Sequence, residues 1–532
     1  MSEVTVESHS ATAWPDGRAS ARDWMAIIAG ALGALMAVLD ISITNSALPT
    51  IQGSVGATGT EGTWIGSGYL MAESVMIPLS AWLVRVFGMR NFLIGIAVLF
   101  SMFSALCGMS DSLTMLVVAR IGQGLTGGAM IPTAQTIVRT RLPTSQFNLG
   151  MTIFGLTVML GPIFGPLVGG WLTTHLSWHW CFFINLPIGA ILVGLLLSSF
   201  DRLPVNWEEF ANSDWLGMAG MAVWLSTMTL VLEEGQREQW FESTMIVWLT
   251  VVSACGFIVL MLAQRRAARP VIRMSLLRNP IFASVVFLVM VVGIMSYGTS
   301  YVIPQFLGLI AQYNAQDSGF VMLFTALPAL VLMPVLPRLL ARFDMRLMII
   351  SGLLFFIAGA AISTGMTTDS AGSGFIPALL LIGSGQLLSA MPLNRASMAF
   401  VSFSEASEAA GLYSMARNLG GSIGLAVTGT IMDRREAMHL HALGDSVTAN
   451  SPLMQDHMRE ASMGLLTQAG DAIAASGAAM AQLAGTMRLQ ALVMTFNDLF
   501  YLATIGVALC IPLTFILKTP KRQPSAQVVE AH

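Results

Sequence analysis

Fourteen apolar stretches, each long enough to cross a lipid bilayer, recur along this chain of 532 residues. A bilayer core needs about 20 consecutive apolar residues per helix. Only 10% of the residues are charged and 55% are hydrophobic, whereas a soluble domain carries about 25% charged residues. A soluble fold cannot bury so much apolar surface. The sequence therefore predicts an all-α polytopic membrane protein with spans near 25–48, 64–86, 91–109, 113–138, 147–170, 181–200, 215–232, 244–263, 281–302, 318–339, 348–366, 374–395, 410–431 and 491–516.

The sequence also argues against several functional classes. The net charge is −3 and no basic tract occurs, so no nucleic-acid partner is expected. No HExxH pattern or nucleophile–base pair occurs, and the seven histidines lie outside the span interiors, which argues against an enzyme, a metal site or a cofactor. No GxxxxGK(S/T) loop occurs, which argues against an ATP-driven pump.

The basic residues predict the orientation, because the cytoplasmic loops of membrane proteins carry the excess of Lys and Arg. With the N-terminus inside, nineteen of the 26 Lys and Arg residues fall on the cytoplasmic side, including Lys518, Lys521 and Arg522, and five fall outside. Both termini are therefore expected in the cytoplasm. The long outer loop 432–490 is interpreted as one or two soluble helices, either a solvated hairpin or a docking surface for a periplasmic partner.

An internal repeat divides the chain into two halves. Residues 76–90 match 332–346 at an offset of 256, and residues 121–130 match 382–391 at an offset of 261. These segments are spans 2 and 4 against spans 10 and 12, so two six-span bundles flank two inserted spans. Such parallel halves form an alternating-access carrier around a central cavity. The predicted units are a cytoplasmic tail 1–24, a first bundle 25–200, inserted helices with linkers 201–280, a second bundle 281–516 and a tail 517–532.

Five short motifs recur in or beside the predicted spans. The segments are 39–49 (LDISITNSALP), 120–124 (RIGQG), 161–170 (GPIFGPLVGG), 183–189 (FINLPIG) and 417–424 (RNLGGSIG). Through them the chain resembles the major facilitator superfamily, and more narrowly the fourteen-span drug:proton antiporters of the EmrB/QacA type, whose elements read LDxTIVNVALP, RxxQG, GPxxGPxxGG, FxNxPxG and RxxGGSxG. Within the family the chain resembles EmrB-type permeases most, because those also carry a long loop before the last span.

The resemblance implies a major facilitator fold and a specific function. That function is proton-coupled antiport, in which amphipathic drugs and toxic compounds leave the cell across the bacterial inner membrane. The resemblance also implies a tripartite efflux system with a periplasmic membrane-fusion adaptor and an outer-membrane channel, driven by the proton gradient without a cofactor. The alternatives are a dedicated exporter of one metabolite (a siderophore, a fatty acid or a self-made antibiotic), a channel, or a membrane enzyme.

Three charged residues are the candidates for proton coupling. Helix rise places Asp40, Glu73 and Arg120 about 22, 16 and 20 Å from the cytoplasmic side of a slab about 30 Å thick, so they can share one layer. Asp40 and Arg120 match family motifs, and a permanent structural ion pair is one interpretation of them. Glu73 has no expected partner, and a buried carboxylate of that kind takes up protons readily. We therefore favour Glu73 as proton carrier or counter-charge for cationic drugs, with Asp40 as the second carboxylate.

The motif in span 5 has a mainly mechanical interpretation. Gly161, Gly165 and Gly169 recur every four residues and give a smooth face for close helix packing. Prolines remove backbone donors and bend a helix. The segment is expected to act as a hinge against the other half, with simple packing as the alternative; its residues are Gly161, Pro162, Gly165, Pro166, Gly169 and Gly170.

Substrate contacts are predicted from aromatic, amide and charged side chains at mid-depth in the spans. Arg417 and Asp498 are also expected to form a charge site of the second half. The predicted substrate contacts are Tyr69, Gln123, Tyr297, Tyr301, Gln305, Gln386 and Arg417.

The loop after span 2 departs from the superfamily pattern. That pattern is GxLaDrxGrk, and this chain reads AWLVRVFGMR at 81–90, without the initial Gly and the Asp. The usual carboxylate–arginine latch therefore lacks its carboxylate. We interpret Arg85 and Arg90 as positive-inside charges.

Overall fold

The computed structural model describes residues 18–267, 272–333, 335–399, 401, 405–447, 452–469 and 471–517. Within these residues all regular structure is helical. The predicted tails lie outside the described residues up to residue 17 and from residue 518, and Lys518, Lys521 and Arg522 lie outside with them.

Twenty α-helices are present in the described residues. Their bounds are α1 Ala21–Ser54, α2 Gly59–Gly62, α3 Trp64–Phe87, α4 Met89–Gly108, α5 Leu113–Gly127, α6 Met130–Arg141, α7 Thr144–His175, α8 Trp180–Phe183, α9 Asn185–Ser199, α10 Trp207–Ala211, α11 Trp215–Glu234, α12 Thr244–Arg266, α13 Pro280–Leu309, α14 Ala315–Leu332, α15 Leu336–Arg342, α16 Met345–Ile362, α17 Gly372–Ala399, α18 Ala406–Ser446, α19 Pro452–Ala469 and α20 Ala472–Ala508. Short 3₁₀ turns lie at Trp240–Glu242, Met274–Arg278, Ser363–Gly365 and Ile511–Ile516.

Each of the fourteen predicted spans coincides with a helix or a broken helix. Eleven helical segments of the described chain are long and apolar enough to cross a membrane. The other three predicted spans are the broken pair α5–α6, the shorter pair α14–α15 and the first part of the more polar α18. The chain is therefore a multi-pass membrane protein, as its composition predicts.

The helices pack in two bundles with the same order of pairings. In the first half (α1–α9), α1 packs on α7, α3 on α5 and α4 on α9. In the second half (α13–α20), α13 packs on α18, α14 on α17 and α16 on α20. These pairings are what the internal repeat predicts. The inserted helices α11 and α12 pack on each other. The exact boundaries of the predicted units stay predictions.

The bundle has two chemically different ends. We call the end where Arg85, Arg141 and Arg342 lie the arginine end, and the opposite end the hairpin end. The helix α18 has 41 residues, and about 60 Å of helix is twice the thickness of a bilayer core. Its last turns, α19 and the start of α20 form a hairpin beyond the spans, in which α19 packs on α20.

Candidate functional site

Asp40 and Arg120 form an ion pair inside the first half. Arg120 Nη1 lies 2.5 Å from Asp40 Oδ2, and the side chains are 1% and 0% exposed. Asp40 Oδ1 also accepts hydrogen bonds from Asn185 Nδ2 at 2.7 Å and Gln123 Nε2 at 3.1 Å. Arg120 Nε donates to the Ile65 carbonyl at 3.2 Å. Because both charges are compensated and hydrogen-bonded, the geometry favours the permanent structural ion pair.

Tyr69 and Gln123 surround this ion pair. The guanidinium carbon of Arg120 lies 4.3 Å from the centre of the Tyr69 ring, a cation–π contact, and Tyr69 is fully buried. Gln123 Oε1 accepts from Arg120 Nη1 at 3.0 Å and from Cys107 Sγ at 3.1 Å. Both stay predictions as substrate contacts, although the polar atoms of Gln123 are already engaged. Sequence reasoning did not predict the hydrogen bond from Asn185 to Asp40, although Asn185 lies in the 183–189 motif.

Glu73 lies beside the ion pair without belonging to it. Its side chain is 5% exposed, and within the described chain its carboxylate has no hydrogen bond and no ion pair. Arg120 and Arg417 are the cations that act on it electrostatically. A Cβ at Gly128 would lie 2.8 Å from the Glu73 carbonyl oxygen, so only glycine lets the α5–α6 break approach α3 this closely. The break therefore fixes the backbone that carries Glu73.

Arg417 of the second half lies within electrostatic reach of Glu73 of the first half. Arg417 is half-buried on α18, and no ion pair of Arg417 occurs among the described residues. It acts electrostatically on Glu73 and on Tyr297 of α13. The Tyr297 ring packs on the α18 backbone at Gly421, 2.9 Å from where a Cβ would stand. A carboxylate of the first half and a guanidinium of the second half, neither of which forms an ion pair among the described residues, therefore interact electrostatically across the two halves.

The predicted pair of Arg417 and Asp498 is wrong. Asp498 Oδ2 lies 3.2 Å from Arg435 Nη1 and 2.8 Å from His439 Nε2. Arg435 follows Arg417 by eighteen residues of one continuous helix, which is about 27 Å of rise. Asp498 therefore stabilises the hairpin end and lies far from the central charges.

Three further predicted substrate contacts lie on helices of the second half. Tyr301 and Gln305 of α13 and Gln386 of α17 are half-buried, and their side chains make no hydrogen bonds to the described residues. Tyr301 is one turn beyond Tyr297 and lies near enough to Asp433 for an electrostatic interaction. Their roles as substrate contacts stay predictions.

The glycines of the span 5 motif lie against α1. A Cβ at Gly161 would lie 2.6 Å from Val38 Cγ1, and one at Gly165 would collide with Ser42. A Cβ at Gly169 would lie 2.9 Å from the Ile43 carbonyl oxygen. The spacing of four residues therefore puts three glycines on one face, where α7 packs on α1.

The other motif residues face away from α1. Pro166 lies 3.3 Å from the position of a Cβ at Gly319, on α14 of the second half. Pro162 is exposed, and nothing lies within 4 Å of a Cβ at Gly170. Because α7 contacts both halves, the hinge role is geometrically possible, and it stays a prediction.

Comparison with known proteins decides the family. A sequence model described as Major Facilitator Superfamily matches residues 30–425. The chain belongs to this superfamily. It is 29% identical over 501 residues to the "Colistin resistance protein EmrB" of Acinetobacter baumannii, covering 94% of this chain and 97% of that protein. It is 27% identical to the "Multidrug export protein EmrB" of Escherichia coli (strain K12), covering 93% and 95%.

Solved structures of the superfamily share the fold. The human organic anion transporter MFSD10 (TETRAN) aligns with a TM-score of 0.56 at 13% identity, covering 91% of this chain and 99% of that one. The proton:xylose symporter XylE aligns with a TM-score of 0.56 at 11% identity, covering 92% and 96%. At this identity the similarity concerns the fold alone.

Arg85, in the segment that departs from the superfamily pattern, forms two ion pairs at the arginine end. Arg85 Nη1 lies 2.6 Å from Glu408 Oε1 of α18, and Arg85 Nε lies 3.0 Å from Glu209 Oε1 of α10. Arg273 Nη1 adds an ion pair to Glu405 at 3.3 Å. The interpretation of Arg85 as only a positive-inside charge is therefore wrong. The missing Asp is replaced by carboxylates that are distant in sequence, which a loop motif cannot reveal.

Replacing Arg85 by Gln is expected to open the arginine end. Glu408 is nearly buried and would lose its shortest ion pair, while Arg85 is about one-third exposed. We therefore expect a cost of about 1–2 kcal/mol, or about a tenfold rise in the ratio of open to closed conformers. Distance distributions between spin labels at Leu149 and Phe343, measured by electron paramagnetic resonance, report this opening. Arg22→Gln is the matched control, because Arg22 pairs with Asp201 inside the first half. Equal distributions for all three proteins would contradict the latch.

Proposed function

We propose that this chain is a proton-coupled antiporter that exports amphipathic toxic compounds by alternating access. The observation that carries the proposal is Glu73, a buried carboxylate without a partner in the described chain, within electrostatic reach of Arg417 of the opposite half. An intramembrane ionisable residue is costly and marks an ion or substrate pathway. The names of the relatives, which include multidrug export, support the substrate class.

The exchange requires that the proton and the substrate bind alternately to the Glu73 carboxylate. A proton on Glu73 neutralises the carboxylate and allows the halves to close around the cavity, because closing over a lone charge is unfavourable. Loss of the proton on the cytoplasmic side leaves the carboxylate free to attract a substrate. The proton gradient is the energy source in this scheme.

The membrane and the orientation belong to the same proposal. The arginine end is assigned to the cytoplasm, because basic loops stay on that side. The hairpin then extends into the periplasm from the bacterial inner membrane. Contacts between α6 and α18 and between α7 and α15 join the two halves near the arginine end, which supports a conformation that is closed at this end.

Reconstitution of the purified protein in liposomes with an imposed pH gradient tests the function. Lipophilic cations, weak acids and uncouplers are assayed separately, with a pH-sensitive dye inside the vesicles. We expect substrate movement to be accompanied by opposite proton movement, and both to stop when the gradient is collapsed. Gradient-independent transport would contradict antiport.

Fatty acid export is a second candidate. The chain is 27% identical over 511 residues to the "Fatty acid resistance protein FarB" of Neisseria gonorrhoeae, covering 95% of this chain and 98% of that protein. The Glu73 carboxylate, which forms no ion pair among the described residues, favours cations over fatty acid anions. A fatty acid arm in the liposome assay distinguishes the two, and export of fatty acids without export of any cation would support this candidate.

The hairpin is proposed as the docking surface for a periplasmic adaptor, which would connect the chain to an outer-membrane channel. Large apolar side chains are exposed there, including Met463 at 63% and Ile473 at 87%, and exposed apolar surface outside a membrane marks a protein contact. Replacing residues 447–471 by a short Gly–Ser linker is expected to abolish drug resistance of whole cells while transport in liposomes continues. Unchanged resistance of cells that carry the deletion would contradict the docking role.

A further inference from the structure

The inserted helix α11 lies in the seam between the two halves. It packs against α3 of the first half and α18 of the second. Thr229 Oγ1 donates to Ser74 Oγ at 3.0 Å, and Asn418 Nδ2 donates to the same oxygen at 3.3 Å. Three helices therefore meet through polar side chains beside Glu73. The inserted helix therefore borders the polar contacts between the two halves at this position.

Glu233 lies one turn further along the same face of α11. Its Oε1 accepts a hydrogen bond from Ser422 Oγ at 2.9 Å, and Ser422 is one turn beyond Asn418 on α18. In the described part of the chain no cation lies within 4.0 Å of Glu233.

The neighbouring Glu234 differs from Glu233 in every contact. It is 1% exposed, pairs with Arg237 Nη2 at 2.7 Å and accepts from Ser67 Oγ of α3 at 2.7 Å. Its charge is neutralised within the protein. Among the described residues, Glu234 therefore has a cationic partner, whereas Glu233 has the hydroxyl of Ser422.

Glu233 shares its surroundings with the central charges. Tyr297 interacts electrostatically with Arg417, Glu73 and Glu233. Two carboxylates and one guanidinium thus lie within electrostatic reach of this ring, and one negative charge is in excess among the three groups when both carboxylates are ionised. The Tyr69 hydroxyl, fully buried and also within electrostatic reach of Glu73, makes no hydrogen bond within the described chain. Buried charges require compensation, and a positively charged ligand supplies it when both carboxylates are ionised.

We propose that Glu233 of the inserted helix is a second acidic residue between the two halves, which binds organic cations together with Glu73. The inference rests on the proposed function. Glu233 lies at the hairpin end of α11, whereas Glu73 lies nine residues inside α3, about 14 Å from that end. A quaternary phosphonium or ammonium group therefore meets Glu73 first and Glu233 second on its way to the hairpin end. The inserted helix α11 therefore supplies the second of the two acidic residues that the cation meets.

Equilibrium binding to the purified full-length chain tests this assignment with two probes of the same shape and opposite charge. Tetraphenylphosphonium is the cation and tetraphenylborate the anion. Glu233→Gln is expected to raise the Kd for the phosphonium at least about tenfold, because a charge pair is lost. Binding of the borate is expected to stay equal or become tighter. Glu233→Asp is expected to restore most of the phosphonium affinity.

Glu242→Gln is the matched control, because Glu242 is exposed beyond the same helix. An unchanged Kd for the phosphonium in Glu233→Gln would overturn the proposal. Equal weakening of both probes would overturn it too, since it would indicate a structural role. Wild-type binding of the phosphonium without gradient-driven export would instead contradict the antiporter function and leave the binding assignment standing.

Discussion

Replacing Asp40 by Asn is expected to lower the free energy of unfolding by about 3–5 kcal/mol, because the buried Arg120 loses the carboxylate with which it forms its ion pair. Asp40 and Arg120 are fully buried, and their ion pair is 2.5 Å long. The amide keeps the shape and the hydrogen bond to Asn185 only in part, since it has one acceptor oxygen in place of two. Thermal unfolding of the detergent-purified protein, followed by tryptophan fluorescence, measures the loss.

The double variant Asp40→Asn with Arg120→Gln separates the charge from the packing. It removes both partners, so no unpaired charge remains, and we expect it to recover most of the stability lost in the single variant. Asp201→Asn is the matched control, because its ion pair with Arg22 is exposed and contributes little. A single variant as stable as the wild type would contradict the structural ion pair.

Sequence reasoning predicts the membrane fold because hydrophobicity and helix rise act locally. A stretch such as 348–366 must be helical in lipid, since every backbone group has to be hydrogen-bonded internally. The same rise places Asp40 and Arg120 in one layer, and the structure brings them into direct contact. The Gly161, Gly165 and Gly169 face follows from spacing alone, and these glycines do lie against α1.

Ion pairs between residues that are distant in sequence cannot be predicted from local patterns. Glu408 lies 323 residues from Arg85, and no loop motif encodes that pair. Glu233 and Glu234 are visible at the end of span 7 as two carboxylates after an apolar run, a signal that sequence reasoning passed over. Glu234 is the one that is neutralised, because the rotation of α11 about its axis turns this side chain towards Arg237 and Ser67. The Asp498 error has the same origin, since the length of α18 beyond the membrane decides which arginine Asp498 meets.

Replacing Glu73 by Gln is expected to reduce gradient-driven export in liposomes to the level of protein-free vesicles. The amide has nearly the same shape, but it neither binds nor releases a proton at neutral pH, so the exchange cycle cannot couple to the gradient. The protein is expected to remain folded, because Glu73 has no hydrogen bond or ion pair to lose within the described chain. Export with a pH-sensitive dye and thermal unfolding are measured on the same preparation.

The contrast with Asp40→Asn makes this test specific. Asp40→Asn leaves a buried cation unpaired and therefore lowers the stability of the protein. Glu73→Gln is expected to leave the stability unchanged and to remove the coupling of export to the proton gradient. Exchange of labelled for unlabelled substrate without a gradient is a further readout, because it needs the halves to rock but needs no net proton movement. Exchange that continues in Glu73→Gln while driven export is absent assigns the proton to Glu73. Driven export that survives the substitution would remove Glu73 from the coupling mechanism, and Glu233 would then be the next carboxylate between the halves to test.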